Sequence, residues 1–241
     1  PLEPDAAAAF DAMLERREQR EPVSQILGNQ PFWTLDLAVS RDVLTPRPDT
    51  ETLVEAALAH VAGRRSEPLR VLDLGTGSGA ILLALLSELP AASGVGVDAS
   101  ESALGIAGAN ARACGLDARS AFQHGDWTHG VDGRFDLIVS NPPYIASGVL
   151  ETLSPEVRDH EPRLALDGGA DGLDAYRRLF AEIRSLLAPG GGAFFEIGHD
   201  QGPAACALAR AAGWREPVLH RDLAGRDRVV ALLSVEDSPA P

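Results

Sequence analysis

The sequence predicts an α/β fold, a Rossmann-like, doubly wound and mostly parallel sheet that ends in an antiparallel hairpin. Three observations carry this. From Leu69 onward, short apolar runs alternate with helical segments, the arrangement that parallel strands and their crossover helices require. The first run, Val71-Leu72-Asp73-Leu74, feeds Gly75-Thr76-Gly77-Ser78-Gly79 and then an apolar helix. Such a turn lets the backbone approach a ligand closely at the end of a strand. The last two runs, 214–220 and 228–233, have no helix between them and read as a hairpin at the sheet edge.

The elements follow in order. Residues 5–19 read as one helix, and Pro1 in place of methionine reads as a processed or truncated start. Residues 31–47 alternate apolar and polar (Phe32, Leu35, Leu37, Val39) and suggest a short hairpin linker. Pro48 opens a helix that runs to Ala62, with Gly63 after its end. Strands are expected at 70–74, 94–98, 120–123, 135–140 and 192–197, and helices at 79–89, 100–114, 172–187 and 201–212. The main domain is therefore placed at 48–235, with a frayed tail at 236–241.

Composition excludes several classes. No apolar run approaches the ~18 residues of a membrane span, and no basic-then-apolar start marks a signal peptide. A net charge of −14 argues against a broad nucleic-acid surface, which needs clustered cations to meet phosphates. All 21 basic residues are arginine, which rules out a lysine Schiff base and a Walker phosphate loop. The histidines form no metal-ligand spacing, and Cys114 and Cys206 stand far apart. No metal is expected, and a reduced, cytoplasmic compartment fits. The chain is read as a monomer.

Asn141-Pro142-Pro143-Tyr144 says most about function. It follows the apolar run 135–140 and so sits at a strand's carboxyl end, where open α/β sheets place ligands. Proline fixes its own φ and restricts the residue before it, which makes the tetrapeptide an extended rod. An asparagine amide holds an acceptor and a donor side by side, a pair suited to gripping a planar –NH2 group. Asp98 ends the next strand after the glycine turn. Its carboxylate can accept both ribose hydroxyls of an adenosine, or simply cap the following helix, as Ser100 can. Asp126 and Trp127 suit an exocyclic amine and an aromatic wall for adenine; a turn with a packed tryptophan is the plainer reading.

At these residues the chain resembles a known family. Residues 73–79 are similar to the cofactor motif of class I S-adenosylmethionine-dependent methyltransferases. Residues 141–144 resemble the motif of those that methylate planar amine or amide nitrogens. Phe32-Trp33 with Asp42-Val43-Leu44-Thr45-Pro46-Arg47-Pro48-Asp49-Thr50-Glu51, the block from Glu161 to Leu173, Glu196-Ile197-Gly198, and the block from Asp222 to Arg228 are similar to the signature of release factor glutamine methyltransferases. The resemblance implies methyl transfer from S-adenosyl-L-methionine, leaving S-adenosyl-L-homocysteine. The acceptor would be the side-chain nitrogen N5 of the glutamine in the GGQ loop of peptide chain release factors. It implies Asp73, Gly75, Thr76, Gly77, Ser78, Gly79, Asp98, Asp126, Trp127 and Asn141 at the cofactor, and Asn141 and Pro142 in catalysis. At the substrate it implies Asn141, Pro142, Pro143, Tyr144 as a pocket wall, Arg47 and Glu51. From sequence alone, Arg47 and Glu51 equally suit a surface pair one helical turn apart. Residues 1–30 are then a remnant of a helical substrate-docking region. Glu196 ends an apolar strand and needs a partner; its role is open.

Three other readings compete. A methyltransferase acting on ribosomal-protein glutamine or on a nucleic-acid amine would use the same tetrapeptide, the latter on a flipped base. The Pro46-Arg47-Pro48-Asp49 string opposes the first and the acidic charge the second. A nicotinamide oxidoreductase would need the spacing G-x-G-x-x-G. A non-catalytic cofactor-binding scaffold would have no use for Asn141.

Overall fold

The central strands are mostly apolar along their length because both faces of their sheet are covered. The computed structural model describes residues 3–234, and the tail expected at 236–241 lies outside the described residues. In chain order the elements are α1 (Pro4–Glu18), α2 (Val23–Leu27), β1 (Asn29–Phe32), β2 (Leu35–Ala38), α3 (Glu51–His60), β3 (Arg70–Leu74), α4 (Ala80–Glu88), β4 (Ser93–Asp98), α5 (Glu101–Ala113), β5 (Ser120–His124), β6 (Phe135–Ser140), α6 (Pro155–Arg158), α7 (Asp174–Glu182), β7 (Leu187–Glu196), α8 (Gly202–Ala211), β8 (Val218–Arg221) and β9 (Asp227–Leu233). The main sheet has the order β5-β4-β3-β6-β7-β9-β8. Its first five strands are parallel, and β9 runs antiparallel to both β7 and β8. This is the doubly wound sheet with a terminal hairpin that the sequence predicts.

Successive strand residues feed opposite cores, as the pleat demands. Val71, Leu137, Val139 and Phe194 pack with α3 and α4 on one face; Leu72, Ile138 and Phe195 pack with α7 and α8 on the other. Helix α4 is buried at every residue from Ala80 to Leu86, which explains why it lacks a polar face.

Several boundaries move for local reasons. Strand β7 begins at Leu187, not 192: Phe135 pairs with Leu187 and Leu137 with Gly192, so Pro189-Gly190-Gly191 form an irregularity inside the strand rather than a turn before it. Helix α7 ends at Glu182 and continues only as a 3-10 turn. The helix expected from Pro48 starts as a 3-10 turn and becomes α-helical at Glu51. Trp214 is not in a strand; its Nε1–H donates to the Phe180 carbonyl at 2.7 Å and the ring is buried.

The N-terminal segments frame the site. The β1–β2 hairpin is held by Trp33, whose backbone N–H donates to Glu51 Oε1 and whose Nε1–H donates to Glu88 Oε1, both at 2.9 Å. Arg17 of α1 and Arg20 just beyond its end both pair with Glu156 of α6, at 2.7 and 2.9 Å, which ties that helix to the segment beyond β6.

Candidate active site

The order of strands reverses at β3, which has β4 on one side and β6 on the other. The carboxyl ends at such a switch point are where open α/β sheets bind ligands. A cleft of about 1100 Å³ opens there, lined by the turn after β3, the end of β4, the loop after β6 and the segment before α3.

One side of the cleft is the glycine turn. The N–H groups of Gly75 and Thr76 both donate to the Val97 carbonyl, at 2.8 and 3.0 Å, which fixes the turn to β4. At Gly75 φ is +74°, and a Cβ would stand 3.3 Å from the Trp127 ring, so only glycine fits without strain. Asp98 braces the turn: Oδ2 accepts from the Gly77 N–H at 2.8 Å and Oδ1 from the Ser100 N–H at 2.9 Å. Beneath it, Asp73 is fully buried. Its Oδ2 accepts from the Thr76 hydroxyl at 2.7 Å, and its Oδ1 has no hydrogen-bond partner among the described residues. Burial pushes the Asp73 carboxyl up to about 7; the Thr76 bond opposes this and the charge of Asp98 adds to it. Asp126, also in the cleft lining, accepts both bonds from Nη1 of Arg178, at 2.8 and 2.7 Å.

The other side is built around Asn141. Its Nδ2 donates to the Thr50 hydroxyl at 3.4 Å, and its Oδ1 is buried without a partner among the described residues. No donor among them reaches the Pro142 carbonyl oxygen either. The loop is clamped from behind. A Cβ at Gly168 would stand 2.7 Å from the Pro143 carbonyl, and Gln201 Nε2 donates to the Tyr144 carbonyl at 2.9 Å. Arg47 lines the cleft and donates through Nη2 to both oxygens of the buried Glu161, at 2.6 and 2.8 Å.

Comparison with known proteins decides the family. Residues 50–155 match the family described as "Methyltransferase small domain". The release factor glutamine methyltransferase of Caulobacter vibrioides is 53% identical over 230 residues, covering 95% of this chain and 79% of that one. That of Rhodospirillum rubrum is 50% identical, covering 99% and 72%. This chain belongs to the release factor glutamine methyltransferases. In three dimensions it is similar to the hMettl16 catalytic domain in complex with MAT2A 3'UTR hairpin 6, with a TM-score of 0.70 and 14% identity over 87% of this chain and 79% of that one. At that identity the likeness shows the fold alone.

In this release factor glutamine methyltransferase, ten of the sequence-predicted site residues line the one cleft: Arg47, Gly75, Thr76, Gly77, Ser78, Asp98, Asp126, Trp127, Asn141 and Pro143. Gly79 and Asp73 lie behind them as helix cap and buried support. Pro142 is buried outside the lining. Two residues are placed away from their expected roles. Tyr144 does not wall the cleft; its hydroxyl donates inward to Glu196 Oε1 at 3.3 Å. Burial, with Glu196 adjacent, raises that phenol well above its usual range. Glu51 is also outside the lining, because it accepts the Trp33 N–H. Sequence reasoning missed Thr50, Glu161 and Arg178, which hold Asn141, Arg47 and Asp126. Their partners come from distant segments, and no spacing signals them.

Proposed function

We propose that this protein transfers the methyl group of S-adenosylmethionine to N5 of the glutamine in the GGQ motif of peptide chain release factors. One observation carries the reading: Asn141 Oδ1 is a buried acceptor with no partner among the described residues, on a residue that lines the same cleft as the glycine turn. Leaving a buried acceptor unmatched costs about 1–3 kcal/mol, a cost that a substrate N–H removes.

The residues fit the cofactor. The turn's glycines open the cleft to backbone approach, Asp98 keeps lone pairs beyond its two N–H bonds for ribose hydroxyls, and Trp127 offers a ring face for adenine. Asp126 acts in this reading while held by Arg178. Bound there, S-adenosylmethionine supplies an electrophilic methyl carbon and leaves as a neutral thioether. The amide nitrogen of glutamine is a poor nucleophile because its lone pair is delocalised into the carbonyl. Asn141 Oδ1 and the Pro142 carbonyl oxygen accept its two N–H bonds. Positive charge growing on nitrogen strengthens both bonds, so they favour the transition state over the ground state. The second Nδ2 proton of Asn141 holds the substrate carbonyl. The methylated cation then gives its proton to solvent, so no side-chain base is needed. Arg47 and Arg163, which line the cleft, receive the release-factor loop. Residues 1–30 serve docking, which the exposed Phe10, Met13 and Leu14 of α1 support.

The test is incubation with S-adenosylmethionine and a release factor, followed by peptide mass spectrometry of the GGQ loop. One added methyl on that glutamine is expected. An unmodified glutamine, or methylation of a ribosomal protein or RNA instead, would reject the reading.

A further inference from the structure

Arg47 enters the cleft on the acceptor side, and an acid hidden from solvent holds it there. Pro48 keeps the Arg47 backbone extended, at φ −105° and ψ 146°. Its carbonyl accepts the Thr50 N–H at 3.1 Å, and the Thr50 hydroxyl accepts from Asn141 Nδ2. One tight turn therefore links Arg47 to the contact with Asn141. The Glu161 side chain is 1% exposed, against 41% for Arg47, and Arg47 is its one ion pair among the described residues. Nη2 alone donates to both carboxylate oxygens, at 2.6 and 2.8 Å. The acid is itself anchored. Its N–H donates to the Val157 carbonyl at 3.1 Å, Pro162 restricts its backbone, and Gln25 Nε2 of α2 donates to the neighbouring His160 carbonyl at 3.0 Å.

A guanidinium carries five N–H donors in a rigid plane. Glu161 engages Nη2, and the Nε and Nη1 protons have no acceptor among the described residues. Three donors are thus left for a group in the cleft that Arg47 lines. Arg163, which lines the same cleft, is held differently. Its side chain is 68% exposed and its contact with Asp167 is 3.4 Å long. Arg163 stays free to move, whereas Arg47 has its rotamer fixed before a ligand arrives, which lowers the cost of binding. Stability alone does not explain the arrangement, because well-packed apolar residues in place of a buried ion pair are often as stable or more so. We propose that Glu161 is a positioning residue for substrate recognition, holding the Arg47 guanidinium by one edge so that its remaining N–H groups grip backbone carbonyls beside the glutamine to be methylated. Glycines next to that glutamine leave their carbonyls open to a flat cation. The inference rests on the release-factor reading given above.

The experiment is steady-state methyl transfer at saturating S-adenosylmethionine, with a release factor and with a short peptide of its GGQ loop as substrates. Glu161→Gln keeps the shape and removes the charge that fixes Arg47. KM for the release factor should rise about 10-fold, the scale of one hydrogen bond to a charged group, while kcat stays within about threefold, as for a contact made equally in ground and transition states. KM for the peptide should rise by the same factor, because the contact lies beside the glutamine. Arg47→Lys keeps the charge and loses the fork, so its KM should rise similarly, and adding Glu161→Gln to it should change KM no further. An unchanged KM in Glu161→Gln, a rise confined to the full-length factor, or effects of the two substitutions that multiply, overturns the proposal. If Glu161→Gln does not fold, Glu161→Asp keeps the charge and withdraws the carboxylate by one methylene; the same rise is expected, and a wild-type KM overturns the proposal. If the wild-type protein leaves the GGQ glutamine unmodified, the reading of the site itself fails; if it methylates that glutamine and the Glu161 variants have a wild-type KM, only this inference fails.

Discussion

The turn after β3 and the loop after β6 lie side by side at the switch point of the sheet, yet they are built on opposite plans. The first is made of backbone: Gly75 and Thr76 are fixed to Val97, and Asp98 holds Gly77 and Ser100. Its hydrogen bonds are largely made before a ligand arrives. The second is made of side chains recruited from far along the chain. Thr50 accepts from Asn141 Nδ2 and Tyr144 donates to Glu196, and two oxygens, Asn141 Oδ1 and Glu196 Oε2, have no partner among the described residues. A pre-satisfied backbone cradle suits binding. A buried acceptor held in wait suits a charge that develops only during reaction. The two sides should therefore be separable by mutation.

The largest expected effect is on the acceptor side. Asn141→Ala should lower turnover about 100- to 1000-fold, the cost of one preorganised transition-state bond, measured as single-turnover transfer at saturating cofactor and substrate. Asn141→Asp should be poor as well, because it loses the donor half and sets a carboxylate against the substrate carbonyl. Near-normal rates in both would make Asn141 a turn residue. On the cofactor side, Asp98→Ala should weaken S-adenosylmethionine binding about 10- to 100-fold by calorimetry, since bonds to a charged acceptor contribute roughly 1.5–3 kcal/mol. Unchanged affinity in a folded variant would remove the ribose assignment.

A smaller effect is pH-dependent. The folded Asp73 carboxyl sits at about 7 against an ordinary 3.8. The native state thus holds a proton that the unfolded chain releases, so stability falls as pH rises between about 4 and 7, and the loss is complete above that window. Without cofactor, Asp73→Asn should melt about 2–4 °C above wild type near pH 8, and the gap should narrow near pH 5. A gap that does not change with pH would contradict the assignment. Smallest is Glu51→Ala, which removes the acceptor for the Trp33 N–H. It should cost about 0.5–1.5 kcal/mol of stability and leave the transfer rate unchanged; a rate loss would return Glu51 to the substrate side.

The same contrast explains what was legible in the sequence. The cradle could be read almost residue by residue because its parts are contiguous: a strand, three spaced glycines, and an acid at the next strand end. Asn141 was legible for the same reason. Tyr144 and Glu51 were not, because their directions depend on Glu196 and Trp33, partners that only the fold brings near. Thr50 appeared in a recognisable string but with no sign that it would touch Asn141, 91 positions away. Strand β7 was shortened in the reading because Pro189-Gly190-Gly191 carries turn chemistry. The neighbouring β6 ladder absorbs those residues as an irregularity instead.

The separation of the two sides is tested most directly by titrating S-adenosylmethionine calorimetrically into Asn141→Ala. The affinity should stay within about threefold of wild type in a preparation that transfers almost no methyl group to the GGQ glutamine. A fall in affinity as large as that of Asp98→Ala would show that Asn141 serves binding rather than chemistry, and would contradict the division drawn between the two sides.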